Sequence, residues 1–226
     1  MKKKTALIGA IGFLALFFIF TILVTTVDVK PIGPLGSEVG LSSMNGSFRD
    51  AVGYSKTWHS ISGKVGYISF ALPAVFAFIG IFQAIKRKSI FKIDSHLFVL
   101  AAFYVAVAAA YLAFEIFEIN YRPVILDEGL EASYPSTHTL LAICVMTTTI
   151  FELNMLLKDR KKLIILTDVL CAAIMAVILV GRILSGVHWL SDIIAGALIS
   201  GSLVFFYLFG LSIVNSKRKN ENAVND

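Results

Sequence analysis

One stretch of the chain, residues 180–196, combines an arginine, a histidine and an aspartate within an apolar run, VGRILSGVHWLSDIIAG. If a helix begins near Gly186, His188 and Asp192 share one face, so the carboxylate can accept a bond from the imidazole. That bond fixes the tautomer and leaves the other ring nitrogen free as a nucleophile or base. Arg182 can hold a phosphate with two donors. Alternatively, Arg182 reaches lipid headgroups, and His188 and Asp192 only cap the helix.

A second stretch, YPSTHTLL, supports the phosphate interpretation. Pro135 and Ser136 favour the start of a helix, whose first N–H groups would form an anion site together with the hydroxyls of Ser136 and Thr137. His138 lies in the first turn, where it could protonate a leaving oxygen. Upstream, Arg122 offers a second guanidinium. The two stretches therefore predict a phosphate site built from two arginines, two histidines, one aspartate and a helix N-terminus.

The elements that must position these residues are membrane spans. The chain has 226 residues, of which 57% are hydrophobic, and its mean hydropathy is +0.81. A soluble domain of this size does not have such a composition, whereas a polytopic membrane protein does. Apolar runs of roughly 20 residues can cross the hydrocarbon core as helices. Six spans are expected, near residues 6–27, 65–85, 97–117, 139–157, 163–184 and 189–213.

The basic residues predict the orientation of these spans. Four segments, residues 2–4, 86–92, 158–162 and 216–219, hold 14 of the 20 lysines and arginines. By the positive-inside rule these segments are cytoplasmic, as are both termini. Residues 28–64, 118–138 and 185–188 then lie outside, which brings the two motif-bearing loops to one side. This distribution accounts for the net charge of +5 and gives no reason to expect nucleic acid as a partner.

The chain is expected to form one helical domain with peripheral segments. The first run exceeds the apolar core of a signal peptide and lacks a cleavage motif, so it is expected to remain as an anchor. The next segment has the features of an interfacial helix or, equally, of a surface loop with aromatic anchors. The expected divisions are an anchor at 1–27, an extracytoplasmic loop at 28–64, a core at 65–215 and a cytoplasmic tail at 216–226.

Other polar residues are expected to have structural roles. We interpret His59 as a loop residue and His96 as a residue at a cytoplasmic helix end. Asp168 is expected to make a hydrogen bond between helices. Cys144 and Cys171 have neither disulfide nor metal-ligand spacing and are expected to be packing residues.

The motifs, in this order and with these spacings, resemble the signature of the type 2 phosphatidic acid phosphatase family. These integral membrane lipid phosphatases share a catalytic core with vanadium haloperoxidases. The family signature reads Lys-x6-Arg-Pro, Pro-Ser-Gly-His and Ser-Arg-x5-His-x3-Asp. The matching segments here are EIFEINYRP at 115–123, PSTH at 135–138 and GRILSGVHWLSD at 181–192. The resemblance implies an all-α, six-span membrane protein with a haloperoxidase-like helical bundle.

The resemblance also implies a mechanism. His188 would attack phosphorus and form a phosphohistidine, with Asp192 orienting its ring. His138 would protonate the leaving group and then activate water. Arg122, Arg182 and the first turn of the fourth span would hold the phosphoryl oxygens. Neither a metal nor another cofactor is expected. The implied substrates are lipid phosphates at the outer leaflet of a bacterial plasma membrane, such as undecaprenyl diphosphate, phosphatidic acid or phosphatidylglycerophosphate.

Three positions depart from the signature. Glu115 replaces the lysine, Thr137 replaces the glycine and Gly181 replaces the serine of the third motif. A carboxylate facing a bound phosphate would repel it, so Glu115 must point elsewhere, be protonated or reduce activity. Gly181 is expected to remove one hydroxyl contact. Glu115 therefore motivates an alternative hypothesis, a non-catalytic relative that binds lipid phosphates or a partner protein.

Overall fold

The computed structural model describes residues 2–126 and 129–225, with side chains up to residue 216. Within these ranges the chain forms eight α-helices and no β-sheet. The helices are α1 (Lys3–Thr26), α2 (Ser42–Val52), α3 (Lys56–Gly66), α4 (Ile68–Lys86), α5 (Ser95–Ile116), α6 (Thr137–Leu156), α7 (Lys161–Ser185) and α8 (Leu190–Asn225). The remaining regular elements are two 3-10 turns, Pro34–Gly36 and Ile90–Lys92.

Six segments of the described chain are long and apolar enough to cross a membrane. They are Lys3–Thr26, Lys56–Lys86, Ser95–Ile116, Thr137–Leu156, Lys161–Ser185 and Leu190–Ser216. The second of these joins α3 to α4, because only Tyr67 separates the two helices. Large apolar side chains such as Phe78 and Val105 are mostly exposed, as expected for a surface that faces lipid. The predicted all-α fold with six spans is confirmed.

Glycines allow α1 to pack closely against α8. A Cβ on Gly9 would lie 2.6 Å from the ring of Phe205, and a Cβ on Gly201 would lie 2.7 Å from the ring of Phe13. The two phenylalanines stack with their ring centroids 5.6 Å apart. Each helix thus places an aromatic ring over a glycine of the other, which is the close packing that membrane helices achieve with small residues. The first span is therefore part of the bundle.

Two shorter helices, α2 and α3, lie between α1 and α4. Gly53 separates them in a left-handed conformation with φ of 66°, which glycine adopts without steric cost. On α2, the Asn45 amide donates to the Ser191 hydroxyl at 3.0 Å and accepts from the Ser191 N–H at 3.1 Å. The start of α3 is tied to the end of α7, because the Ser55 N–H donates to the Ser185 carbonyl at 3.0 Å. Both helices therefore pack on the bundle.

A buried polar cluster joins α5, α6 and α8 near the end of α6. The Glu152 side chain is fully buried and contacts His96 Nδ1 at 2.6 Å and the Tyr207 hydroxyl at 2.6 Å. His96 lies in the first turn of α5, as expected of a helix-end residue. Nearby, the Asn154 amide donates to Asp168 at 3.4 Å, so Asp168 makes the expected bond between helices.

Cys144 and Cys171 are both buried and unpaired as thiols. Cys144 lies in the main hydrophobic core, and Cys171 packs in a smaller cluster between α6 and α7. Both are the packing residues that the sequence predicted.

Candidate active site

The predicted site residues come together at the end of the bundle opposite Glu152. Four connected regions contribute them: the loop after α5, the start of α6, the last turn of α7 and the connection into α8. In chain order the residues are Arg122, Ser136, Thr137, His138, Arg182, His188 and Asp192. The structure therefore juxtaposes residues that are separated by as many as 70 positions in the sequence.

His188 and Asp192 are adjacent, although not for the reason expected from the sequence. The last helix begins at Leu190 rather than near Gly186, so His188 lies in the connecting loop and shares no helix face with Asp192. The Asp192 carboxylate turns back and accepts from the Trp189 N–H at 2.9 Å, as the third residue of a helix does in a capping box. The same oxygen lies 3.5 Å from His188 Nδ1. Asp192 therefore both caps α8 and faces the imidazole.

The environment of His188 keeps its imidazole neutral. Burial and the nearby charges of Arg122 and Arg182 lower the pKa of His188 well below its usual value of 6.5. Nδ1 faces Asp192 at 3.5 Å without a well-aligned hydrogen bond, and Nε2 has no hydrogen-bond partner in the protein either. A neutral imidazole with one nitrogen facing a carboxylate and the other unengaged has the arrangement required of a nucleophile.

Both arginines of the site are largely buried. Arg182 is 1% exposed, and its Nη1 lies 3.3 Å from Nδ1 of His59. Arg122 Nε lies 2.8 Å from the Glu131 carboxylate, although the N–H is not aligned for a hydrogen bond. Arg122 Nη1 and Arg182 Nε have no protein hydrogen-bond partner. The two guanidinium groups therefore keep donors that an anion could engage.

The start of α6 is held firmly against α8. Ser136 caps α6 by accepting from the Thr139 N–H at 3.4 Å and from its hydroxyl at 3.0 Å. Its own N–H donates to the Asp192 carbonyl at 2.9 Å. The Ser136 side chain is fully buried, whereas Thr137 and His138 are partly buried. Nδ1 of His138 has no protein partner, so the imidazole has a nitrogen available for proton transfer.

Two departures from the motif pattern have a structural explanation. Glu115 lies on the last turn of α5 and is exposed. Of the three expectations for this carboxylate, its exposure supports the first, that it points away from the buried site. At Gly181, an added Cβ would lie 2.6 Å from Cβ of Ser62. A serine at position 181 would therefore collide with α3. The expectation that Gly181 only removes a hydroxyl contact was incomplete, because this glycine lets α3 approach α7.

Several residues at the site were not anticipated. His59 lies on α3 rather than in a loop and contacts Arg182. Asn120 and Ser133 lie beside the Asp192 carboxylate, and the Ser133 hydroxyl donates to the Asn120 carbonyl at 3.1 Å. Asn120 lies two residues before Arg122 and Ser133 lies two residues before Pro135, so proximity to a motif was a local signal for both. His59 reaches the site through tertiary packing.

Fold and site together define a polytopic helical membrane protein with a buried, cationic histidine site at one end of its bundle. Residues 113–212 match the family model of the PAP2 superfamily, and this range contains all seven predicted site residues. This part of the chain thus matches the type 2 phosphatidic acid phosphatase (PAP2) superfamily, which supports the family that the sequence motifs indicated.

The fold agrees with a solved structure of a protein described as the first transmembrane PAP2 type phosphatidylglycerolphosphate phosphatase from Bacillus subtilis. The TM-score is 0.61 at 18% sequence identity, and the match covers 94% of this chain and 97% of the other. At that identity the likeness establishes the fold alone. No curated protein sequence matches the chain.

Proposed function

We propose that the chain is a lipid phosphate phosphatase that works through a phosphohistidine intermediate and without a metal. The observation that carries the proposal is the position of His188 Nε2, an unengaged nitrogen on a buried imidazole between Asp192 and two arginines. The family match supports a membrane lipid phosphatase in general. The site contains a candidate residue for each step of the reaction.

In the first step, Nε2 of His188 attacks phosphorus and the bond to the leaving oxygen breaks. Asp192, 3.5 Å from Nδ1, stabilises the positive charge that develops on the ring. Arg122 and Arg182 neutralise the charge on the equatorial oxygens. His138 donates a proton to the leaving alcohol or phosphate. The products are the free lipid alcohol, or lipid monophosphate, and the phosphorylated enzyme.

In the second step, a water molecule attacks the phosphohistidine. His138, now neutral, accepts the proton of that water, the P–N bond breaks, and His188 is restored. The net reaction consumes one water and releases inorganic phosphate, so both histidines end as they began. The proposal includes Ser136 and Thr137 as neighbours of the bound phosphate, with the N–H groups of the first turn of α6 as the donors.

We also propose that the substrate is amphiphilic and enters from the extracytoplasmic leaflet of a bacterial plasma membrane. The four basic segments lie at the other end of the spans from the site, which supports this orientation by the positive-inside rule. The candidate substrates are undecaprenyl diphosphate, phosphatidic acid and phosphatidylglycerophosphate. The last of these corresponds to the description of the solved structure with the same fold.

The experiment is a phosphate-release assay with detergent-solubilised protein, a panel of these three lipids and EDTA in the buffer. We expect release from at least one lipid, inhibition by vanadate, and a loss of about three orders of magnitude or more in His188→Ala. Acid-labile, base-stable phosphate on the protein during turnover would identify the phosphohistidine. Full activity in His188→Ala would exclude the mechanism, and dependence on added metal would exclude metal independence.

The alternative function, a non-catalytic relative that binds lipid phosphates, was motivated by Glu115. The exposure of Glu115 weakens the electrostatic reason for inactivity, because solvent screens the charge of an exposed carboxylate. A protein that binds lipid phosphates but releases no phosphate from any member of the panel would support that alternative.

A further inference from the structure

The helix α3 forms a wall of the active site, although it lies outside the three motifs. Ser62 contacts Gly181, because a Cβ on that glycine would lie 2.6 Å from Ser62 Cβ. A Cβ on Gly63 would lie 3.7 Å from Nη2 of Arg182, and a Cβ on Gly66 would lie 3.2 Å from the ring of His138. Positions 59, 62, 63 and 66 follow the spacing of one helix face. His59 therefore belongs to the face that packs on the site.

The contact between His59 and Arg182 has a defined polarity. A guanidinium can only donate hydrogen bonds, so Nδ1 of His59, 3.3 Å from Arg182 Nη1, must accept. The imidazole is then neutral, with its proton on Nε2. His59 is half-buried, and the other charged groups near it are Arg122 and Glu131. The bond holds one branch of the Arg182 guanidinium and leaves Nε without a protein partner.

The position where the family signature has a lysine does not supply a cation here. Glu115 is exposed, and the sequence has no lysine between Lys92 and Lys158. Arg122 is engaged in part by Glu131, 2.8 Å away. Arg182 therefore carries a larger share of phosphate binding than it would beside a lysine, and its orientation matters correspondingly more.

We propose that His59 is a positioning residue that holds Arg182 in its phosphate-binding orientation, which makes α3 part of the active site. The inference rests on the proposed function for its substrate and deepens it by naming what fixes one of the two arginines. Gly181 and Gly66 serve the same end, because a side chain at either position would crowd Ser62 or His138 and hold α3 away from the site.

The test compares three variants of the full chain in detergent. His59→Leu removes the acceptor at similar volume, whereas His59→Gln keeps an acceptor for Arg182. Ser60→Leu is the matched control, because Ser60 is on the exposed side of α3. Vanadate binding is measured by calorimetry, and kcat and KM are measured with whichever lipid phosphate the wild-type protein hydrolyses.

For His59→Leu we expect kcat/KM and vanadate affinity to fall by about 10- to 100-fold, the range for losing one hydrogen bond to a charged group. His59→Gln should stay within about threefold of the wild type, and Ser60→Leu should be unchanged. In an Arg182→Lys background, His59→Leu should have less effect than in the wild type, because the two residues act as a unit.

Equal vanadate affinity and kcat/KM in His59→Leu and the control would overturn the inference, as would full additivity with Arg182→Lys. If the wild-type protein bound vanadate but hydrolysed no lipid phosphate, the proposed function would fail. A selective loss of vanadate binding in His59→Leu would then still support the role of His59. A wild-type protein that bound no vanadate would overturn the inference.

Discussion

At the scale of single residues, the site depends on a contrast between buried neutral and buried charged groups. His188 is neutral because burial and two arginines disfavour a further positive charge. Arg122 and Arg182 provide the charged groups, each with a guanidinium that only donates hydrogen bonds. The result is a nucleophile that does not need to lose a proton at neutral pH, next to cations that attract its substrate.

The pH dependence of the reaction tests this contrast. Because the pKa of His188 is lowered, the reactive neutral form persists as the pH falls through 6.5. We therefore expect kcat/KM to decrease only at a clearly lower pH. Arg122→Gln removes one of the charges that lower this pKa. The acid limb of the pH–rate profile of this variant should therefore shift to higher pH, even though its activity is reduced. A pH–rate profile of both proteins measures the shift. An acid limb at 6.5 in the wild-type protein would contradict the prediction.

Glu115 provides a second prediction at this scale. Since its carboxylate is exposed, Glu115→Gln should leave kcat/KM within about twofold, as is usual for surface substitutions. Glu115→Lys should not produce a large gain either, because the charge of an exposed side chain is screened by solvent. Phosphate release under identical conditions provides the measurement. An increase of tenfold or more in Glu115→Lys would show that the position acts on bound phosphate after all.

At the scale of elements, the bundle joins its spans through buried polar contacts as well as apolar packing. Helix α6 carries His138 at its first turn and Glu152 in its last turns, so it connects the site to the cluster at the other end. Glu152 bonds to α5 through His96 and to α8 through Tyr207. Removing its carboxylate would leave two buried polar groups unpaired, which is costly.

Glu152→Leu is therefore expected to destabilise the bundle by about 2–4 kcal/mol, whereas Glu152→Gln, which keeps both contacts possible, should lose less. The buried Cys144 and Cys171 provide the readout, since a thiol-reactive dye reaches them only on unfolding. The unfolding temperature should rank wild type above Glu152→Gln and Glu152→Leu last. Asp159→Asn, an exposed change, is the control. Equal unfolding temperatures would contradict a role for the cluster.

At the scale of the whole molecule, the two ends of the bundle differ in chemistry. One end contains the buried histidines and arginines, and the other contains the basic loops. The positive-inside rule predicts that the site end faces outward. Segments 28–41 and 157–160 lie at opposite ends and have exposed positions, so they suit a test of orientation.

In cells, a membrane-impermeant maleimide should label Glu38→Cys and should not label Lys158→Cys until the membrane is permeabilised. Both positions are exposed. The native thiols are buried, so the unaltered chain should give little background. The reverse pattern of labelling would place the site on the cytoplasmic side and would contradict the proposed orientation.

The sequence by itself determined the six spans, since apolar runs of this length have no other stable fold in lipid. It also identified Ser136 as the cap of α6, because capping depends on local residue types. It identified the seven motif residues through their spacing. It misplaced the start of α8, because Gly186 ends α7 as its left-handed C-cap instead of beginning the next helix, which starts at Leu190.

Only the tertiary structure decided which residues surround the motifs. His59 reaches Arg182 because Gly181 and Ser62 let two helices touch, and contacts between residues more than a hundred positions apart leave no local signal. The outward position of Glu115 likewise depends on how α5 is rotated within the bundle. That rotation is set by packing against neighbouring helices. The sequence of α5 is almost uniformly apolar, so its hydrophobic pattern does not indicate which face points outward.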